Sequence, residues 1–235
     1  MKTITSSLRR LSFEMSRASE ASFWAEKIKD RFGLPCRADS KIDGIYWILR
    51  ETYNIFRPIP PNLIKDCDVT ALIFKYLGEN KPLYPNHGFF RESDKTVTLN
   101  SDMFIHPDQP EDFFNKNQYF VTRAEETVYH EFGHGFDSCH GELSLQPAWM
   151  KLSGWSKEPG PGLERLHIKD EGAPEVIGEY YFDSMYKAKG FTRYYAMRNP
   201  WDDWADTFAY YLSDLKNKVP VAKAKYFDNL LKKYY

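Results

Sequence analysis

Apolar and charged positions alternate at helical spacing over residues 5–32, the apolar ones including Leu8, Leu11 and Met15 and then Phe23, Trp24 and Ile28. Gly33-Leu34-Pro35 stops that pattern. A second helix is expected over 41–56, with Ile45, Ile48, Leu49, Tyr53 and Phe56 on one face and Pro58, Pro60 and Pro61 beyond it. Val69–Tyr76 is a short apolar run that periodicity cannot assign between strand and buried helix. A hairpin follows, with His87-Gly88-Phe89-Phe90-Arg91 and Thr96–Leu99 flanking a polar turn. Thr122 and Glu125 have the capping-box spacing, so a helix is expected to start at Thr122 and run to about Phe136. Residues 141–174 are rich in Gly and Pro and read as loop, with helices expected over 175–189, 200–215 and 221–234. Early strands and late helices imply an α+β fold. Residues 1–60 read as a helical extension packed on a core unit of 61–235.

Composition narrows the class. A chain of 235 residues buries a real core without needing a metal or disulfide merely to fold. The 32 basic and 33 acidic residues leave a net charge of −1, which gives no electrostatic case for nucleic acid or an anionic membrane as partner. No apolar run approaches the roughly 20 residues of a membrane span. Cys36, Cys67 and Cys139 are odd in number, widely spaced and without a CxxC, which points to a reducing compartment. The N-terminal stretch lacks the apolar segment of a secretory signal. The expected location is the cytoplasm, or wherever a route without a cleaved signal delivers the chain.

The chemistry lies in His130-Glu131-Phe132-Gly133-His134, an HExxH. Histidines four apart on a helix share one face, so both imidazoles can reach one metal ion. Glu131 then lies beside a metal-activated water whose proton it can accept. Gly135 follows the second histidine, where a helix can end and open the site. A catalytic zinc takes three protein ligands, so a third is expected downstream. Glu175/Glu179, Glu179/Asp183 and Asp202/Asp206 are each four apart, so that one acid could ligate while the other hydrogen-bonds a ligand histidine. Spacing does not choose among them.

Residues 191–212, Phe-Thr-Arg-Tyr-Tyr-Ala-Met-Arg-Asn-Pro-Trp-Asp-Asp-Trp-Ala-Asp-Thr-Phe-Ala-Tyr-Tyr-Leu, resemble the zinc-completing helix of gluzincin metallopeptidases of the anthrax-lethal-factor-like type. That family pattern reads approximately Y-A-x-x-N-P-x-E-D-F-A-E-T-F-A-x-Y. Leu152-Ser153-Gly154-Trp155 is similar to a segment between the two zinc motifs of such proteins. The resemblance runs through short motifs over roughly residues 87–212. It implies a zincin-like domain with a small mixed sheet, zinc as cofactor and a protein or peptide substrate. It also implies Asp202 as third ligand, Asp206 as the acid that holds a ligand histidine, and Tyr195 as a phenol donating to the oxyanion. Both acids are Asp where the family has Glu, one methylene longer, so either the helix sits closer to the metal or the site is looser. The strand near Thr96–Leu99 is expected beside the motif helix as an edge that pairs with extended substrate. Trp149, Trp155 and the Pro159–Gly162 loop are expected to border the cleft.

A different class of function is a catalytically weak or inactive structural or interaction protein that keeps a metal site in the same fold. Such a site tends to be closed by a fourth protein ligand, for which Cys139 and His140 stand nearest in sequence.

Overall fold

Helical periodicity near the N-terminus becomes two helices, α1 (Lys2–Phe32) and α2 (Ile45–Phe56), in a computed structural model that describes residues 2–76, 88–104, 124–168, 176–186 and 190–235. Ile28 and Phe32 of α1 and Ile48, Leu49 and Phe56 of α2 enter one hydrophobic core. Pro61 then opens a short helix, α3 (Pro61–Lys65), where its missing N–H costs nothing.

Between and after them lie the strands of a four-stranded sheet: β1 (Cys36–Ala38), β2 (Ala71–Lys75), β3 (Gly88–Arg91) and β4 (Thr96–Asn100). The ambiguous apolar run is therefore a strand. The sheet order is β1-β2-β4-β3, with β1–β2 and β2–β4 parallel and β3–β4 an antiparallel hairpin. The sheet is mixed, as expected, but β3 is the edge next to the motif helix. Residues Thr96–Asn100 are buried throughout between β2 and β3, so their backbone has no free side for a substrate.

The motif helix, α4 (Ala124–Cys139), passes through Gly135 without ending. A Cβ at Gly135 would lie 2.4 Å from the Cys67 carbonyl oxygen, so this glycine serves close packing. A Cβ at Gly133 would meet the Ala205 backbone at 3.0 Å, which brings α6 (Pro200–Leu212) tight against α4. Thr122, Glu175 and His87 lie outside the described residues.

Residues 141–168 hold more structure than a loop: α5 (Pro147–Ser153) and the short strands β5 (Trp155–Ser156), β6 (Leu163–Glu164) and β7 (His167–Ile168). The helix expected over 175–189 is not there in the described residues 176–186. They form β8 (Val176–Ile177), β9 (Tyr181–Asp183) and a 3-10 turn (Ser184–Tyr186). Strand β9 pairs with both β5 and β6. Partners far along the chain thus override local helix propensity. Trp155, Leu166, Tyr180, Phe182 and Met197 form a second, smaller core on this side.

Helix α7 (Val221–Leu231) completes the main core. Phe136 of α4 stacks on Trp204 of α6 at 5.8 Å, and Trp204 meets Phe208 at 5.4 Å and Phe227 of α7 at 4.9 Å. Offset and tilted ring pairs of this kind supply directional packing beyond the area they bury. No helix among the described residues is long and apolar enough to cross a membrane.

Candidate metal centre

Two helices converge on the site because each carries a residue pair four apart. On α4, His130 and His134 stand one turn apart with ring centroids 4.7 Å from each other. Their Nε2 atoms are 3.0 Å apart. Two lone pairs cannot face each other at that distance, so a proton or a metal cation must sit between them.

On α6, Asn199 caps the helix, accepting from Asp202 N at 2.7 Å, and Pro200 occupies the first turn. The same Asn199 donates Nδ2 to Asp202 Oδ2 at 2.7 Å. That bond holds one carboxylate oxygen and leaves Oδ1 at 3.6 Å from Nε2 of both histidines. The three donor atoms form a triangle with edges of 3.0, 3.6 and 3.6 Å. Ligands about 2.1 Å from a tetrahedral zinc lie about 3.4 Å apart, so this donor set fits that ion in type and size. Among the described residues, His130, His134 and Asp202 are the one group of three such donors close enough to share a metal.

One turn further along α6, Asp206 Oδ1 meets His130 Nδ1 at 2.6 Å. A proton on Nδ1 donated to this carboxylate leaves Nε2 as the side that binds a metal. Arg193 grips Asp206 in turn, Nε to Oδ2 at 2.7 Å and Nη2 to Oδ1 at 2.5 Å. Asp206 is only 1% exposed. Burial pushes its pKa up, but Arg193 and His130 together hold it below the ordinary carboxylate value. For His130, burial opposes charge, yet Asp206 and Asp202 raise the ring to about 10. Burial likewise acts against charge on Asp202, and the two histidines more than offset it, keeping that carboxylate ionised far below its usual range. The two carboxylates are thus held ionised by the imidazoles and Arg193, and Asp202 Oδ1 faces the same point as both Nε2 atoms.

Glu131 is buried beside the histidines, and its Oε2 accepts from the backbone N–H of Phe90 on the edge strand β3 at 2.7 Å. Tyr195 opens a 3-10 turn (Tyr195–Met197) with its ring 6.1 Å from that of His130. Its Oη accepts from Arg198 Nη1 at 3.0 Å. Burial, with Asp202 nearby, raises the phenol to about 12, against the pull of Arg198.

A cavity of about 360 Å³ opens at the donor group, lined by Phe90, His134, Asp137, Arg198, Trp201 and Asp202 among others. The tryptophan on its wall is Trp201. Trp149 and Trp155 are core residues instead, because each is buried in a cluster of other rings. Of the other acids weighed from the sequence, Glu179 is exposed and outside the donor group, and Asp183 Oδ1 accepts from Met185 N at 2.9 Å. Cys139 Sγ donates to the Asp66 carbonyl at 2.9 Å, and His140 stacks on Phe136 at 4.0 Å. Both sit at the far end of α4, so neither closes the site as a fourth ligand.

Three residues here escaped the sequence reading. Asn199 had a visible signal, an Asn-Pro before a helix with an acid three residues on. Arg193 and Arg198 had none beyond proximity to the motif.

No family model and no curated protein sequence matches the chain. Among solved structures, it is similar to a "putative zinc-binding metallo-peptidase" from Bacteroides caccae ATCC 43185, with 14% identity and a TM-score of 0.46. The match spans 93% of this chain and 79% of that one.

Proposed function

We propose that this protein is a zinc-dependent metallopeptidase of the gluzincin type that hydrolyses peptide bonds, with residues 61–235 as the zincin-like catalytic unit and 1–60 as its helical extension. The observation that carries the reading is the donor triangle of His130, His134 and Asp202, with a buried carboxylate next in sequence to the first histidine. These three residues would hold zinc, which supplies a Lewis acid that polarises the scissile carbonyl and acidifies water. Glu131 takes the proton of the attacking water and passes it to the leaving amine. The Phe90 N–H, bonded to one oxygen of that carboxylate, fixes its orientation for the transfer. Asp206 keeps the Nδ1 proton on His130 and so keeps Nε2 free for the metal. Tyr195 donates its hydroxyl to the oxyanion that forms as the carbonyl is attacked.

The shorter Asp in place of Glu at the third ligand suits this α4–α6 pair, because Gly133 lets the α6 backbone come close. A metal-holding interaction protein without turnover is the other reading of the same donors. The open cavity and Glu131 favour the hydrolase, since a purely structural zinc needs neither.

The test is the zinc-to-protein ratio of dialysed protein together with cleavage of a random peptide library. Wild type should bind zinc near one to one, and Asp202→Ala should lose it. Glu131→Gln should keep the metal and lose turnover by about 10²–10⁴-fold. Wild-type cleavage rates in Glu131→Gln would overturn the mechanism. Zinc without cleavage would favour the interaction-protein reading or a protease of a single narrow substrate over a general peptidase.

A further inference from the structure

Two guanidiniums flank the Tyr195 ring, Arg193 at 5.2 Å and Arg198 at 5.9 Å from its centroid. Their situations differ. Arg193 spends Nε and Nη2 on Asp206, well inside the protein. Arg198 lines the cavity, and of the described residues named on its wall it alone carries a guanidinium or ammonium group. Its bond at hydrogen-bonding distance goes to the Tyr195 hydroxyl, whereas its Nε stands 3.9 Å from Asp202 Oδ2, too far for a hydrogen bond.

A guanidinium has donors only. The Tyr195 oxygen must therefore be the acceptor in that pair, and its own proton has to point elsewhere. The ring is held between His130 and the two guanidiniums, which limits where that proton can go. A half-exposed arginine near an aspartate is ordinarily a surface ion pair of small value. Here the bonded partner is a half-buried phenol beside the donor triangle, and the charge faces the cavity.

We propose that Arg198 is the positioning residue that makes Tyr195 a hydrogen-bond donor to a tetrahedral oxyanion in the cavity, while its own positive charge lies beside the same oxyanion. The inference rests on the metallopeptidase reading and adds to it a second group, one that acts through the tyrosine. It specifies what the cavity wall recognises: an anionic tetrahedral centre within a peptide backbone, rather than a neutral one of the same shape.

The experiment uses the full-length, zinc-loaded protein and two analogues of the peptide it cleaves best from a random library. In one analogue the scissile carbonyl is replaced by a phosphonate, and in the other by a neutral secondary alcohol. Arg198→Met should weaken the phosphonate by about 30-fold and the alcohol by less than about 3-fold. Tyr195→Phe should show the same preference, and the double variant should lose clearly less than the sum of the two single losses, since Arg198 acts in part through the tyrosine. Arg198→Lys should recover part of the phosphonate affinity. Zinc-to-protein ratios near one in every variant separate this effect from loss of the metal. Equal loss of both analogues in Arg198→Met would mean a merely structural role and would overturn the proposal. Unchanged phosphonate affinity, or fully additive losses in the double variant, would overturn it as well. If wild type cleaves no library peptide, the metallopeptidase reading itself falls, and this inference with it.

Discussion

Asp206 stands between a histidine and an arginine, and its single carboxylate settles which nitrogen of His130 faces the donor triangle. Asn at this position could still accept from Nδ1, but it would carry no charge to balance the imidazole or Arg193. Asp206→Asn is therefore expected to weaken zinc binding by about 10–100-fold, and Asp206→Ala by more. Competition against a chelator of known affinity reads this directly, and an unchanged affinity in both variants would refute the arrangement. Asp206 was legible in the sequence as the second acid of an i, i+4 pair, though two other pairs fitted equally well. The choice became physical only once the N-cap at Asn199 turned Asp202 toward the histidines. Arg193 was illegible, because its role depends on a turn that returns it to α6 thirteen residues upstream of its partner.

Helix α6 is fixed from two sides. While Asp202 and Asp206 face α4, Asp203 points the other way and is fully buried. There it accepts from Lys223 Nζ of α7 at 2.5 Å and from Trp155 Nε1 at 3.0 Å. Lys223 is itself 1% exposed. Burial disfavours both charges, raising the Asp203 pKa and lowering that of Lys223, and each partner's charge works against that shift in the other. Lys223→Met should leave an uncompensated buried acid and cost about 3–5 kcal/mol. The double variant Asp203→Asn/Lys223→Met should recover most of that loss, because no charge is then left unpaired. Urea unfolding of wild type and the two variants decides it, and a double variant no better than Lys223→Met would show that packing, not charge, is what was lost. At this scale the sequence was informative wherever an element carries its own period, as in α1, α2, α6 and α7, and the hairpin of β3 and β4. It misled over 176–186, where Tyr181–Asp183 becomes a strand only because Trp155–Ser156 and Leu163–Glu164 lie on either side of it. Strands of two or three residues have no period to read, and their conformation is set by partners that local sequence does not name. The edge strand was missed for the same reason, since a hairpin pattern does not say which of its two strands lies outside.

Across the whole molecule, the donor triangle ties α4 to α6, yet the two helices are already joined by rings from α2 to α7. Phe56 of α2 meets Phe132 of α4 at 4.9 Å, Phe136 stacks on Trp204, and Trp204 meets Phe227. One hydrophobic cluster takes in residues of α1, α2, the four-stranded sheet, α4, α6 and α7. A fold assembled this way does not depend on a metal for its existence, unlike a small domain whose core is its zinc site. Zinc should act instead as a ligand bound to the native state alone. Its contribution then follows the ratio of free metal to dissociation constant, about 4 kcal/mol at a thousandfold excess. Chelation is thus expected to leave the helical circular dichroism signal and a single cooperative urea transition in place, with the midpoint moved down. Returning zinc should restore the midpoint in wild type and leave it unmoved in Asp202→Ala. A chelated protein with no cooperative transition would mean that the ring stack does not hold α4 and α6 together by itself. A wild-type midpoint indifferent to zinc would mean that His130, His134 and Asp202 do not bind it.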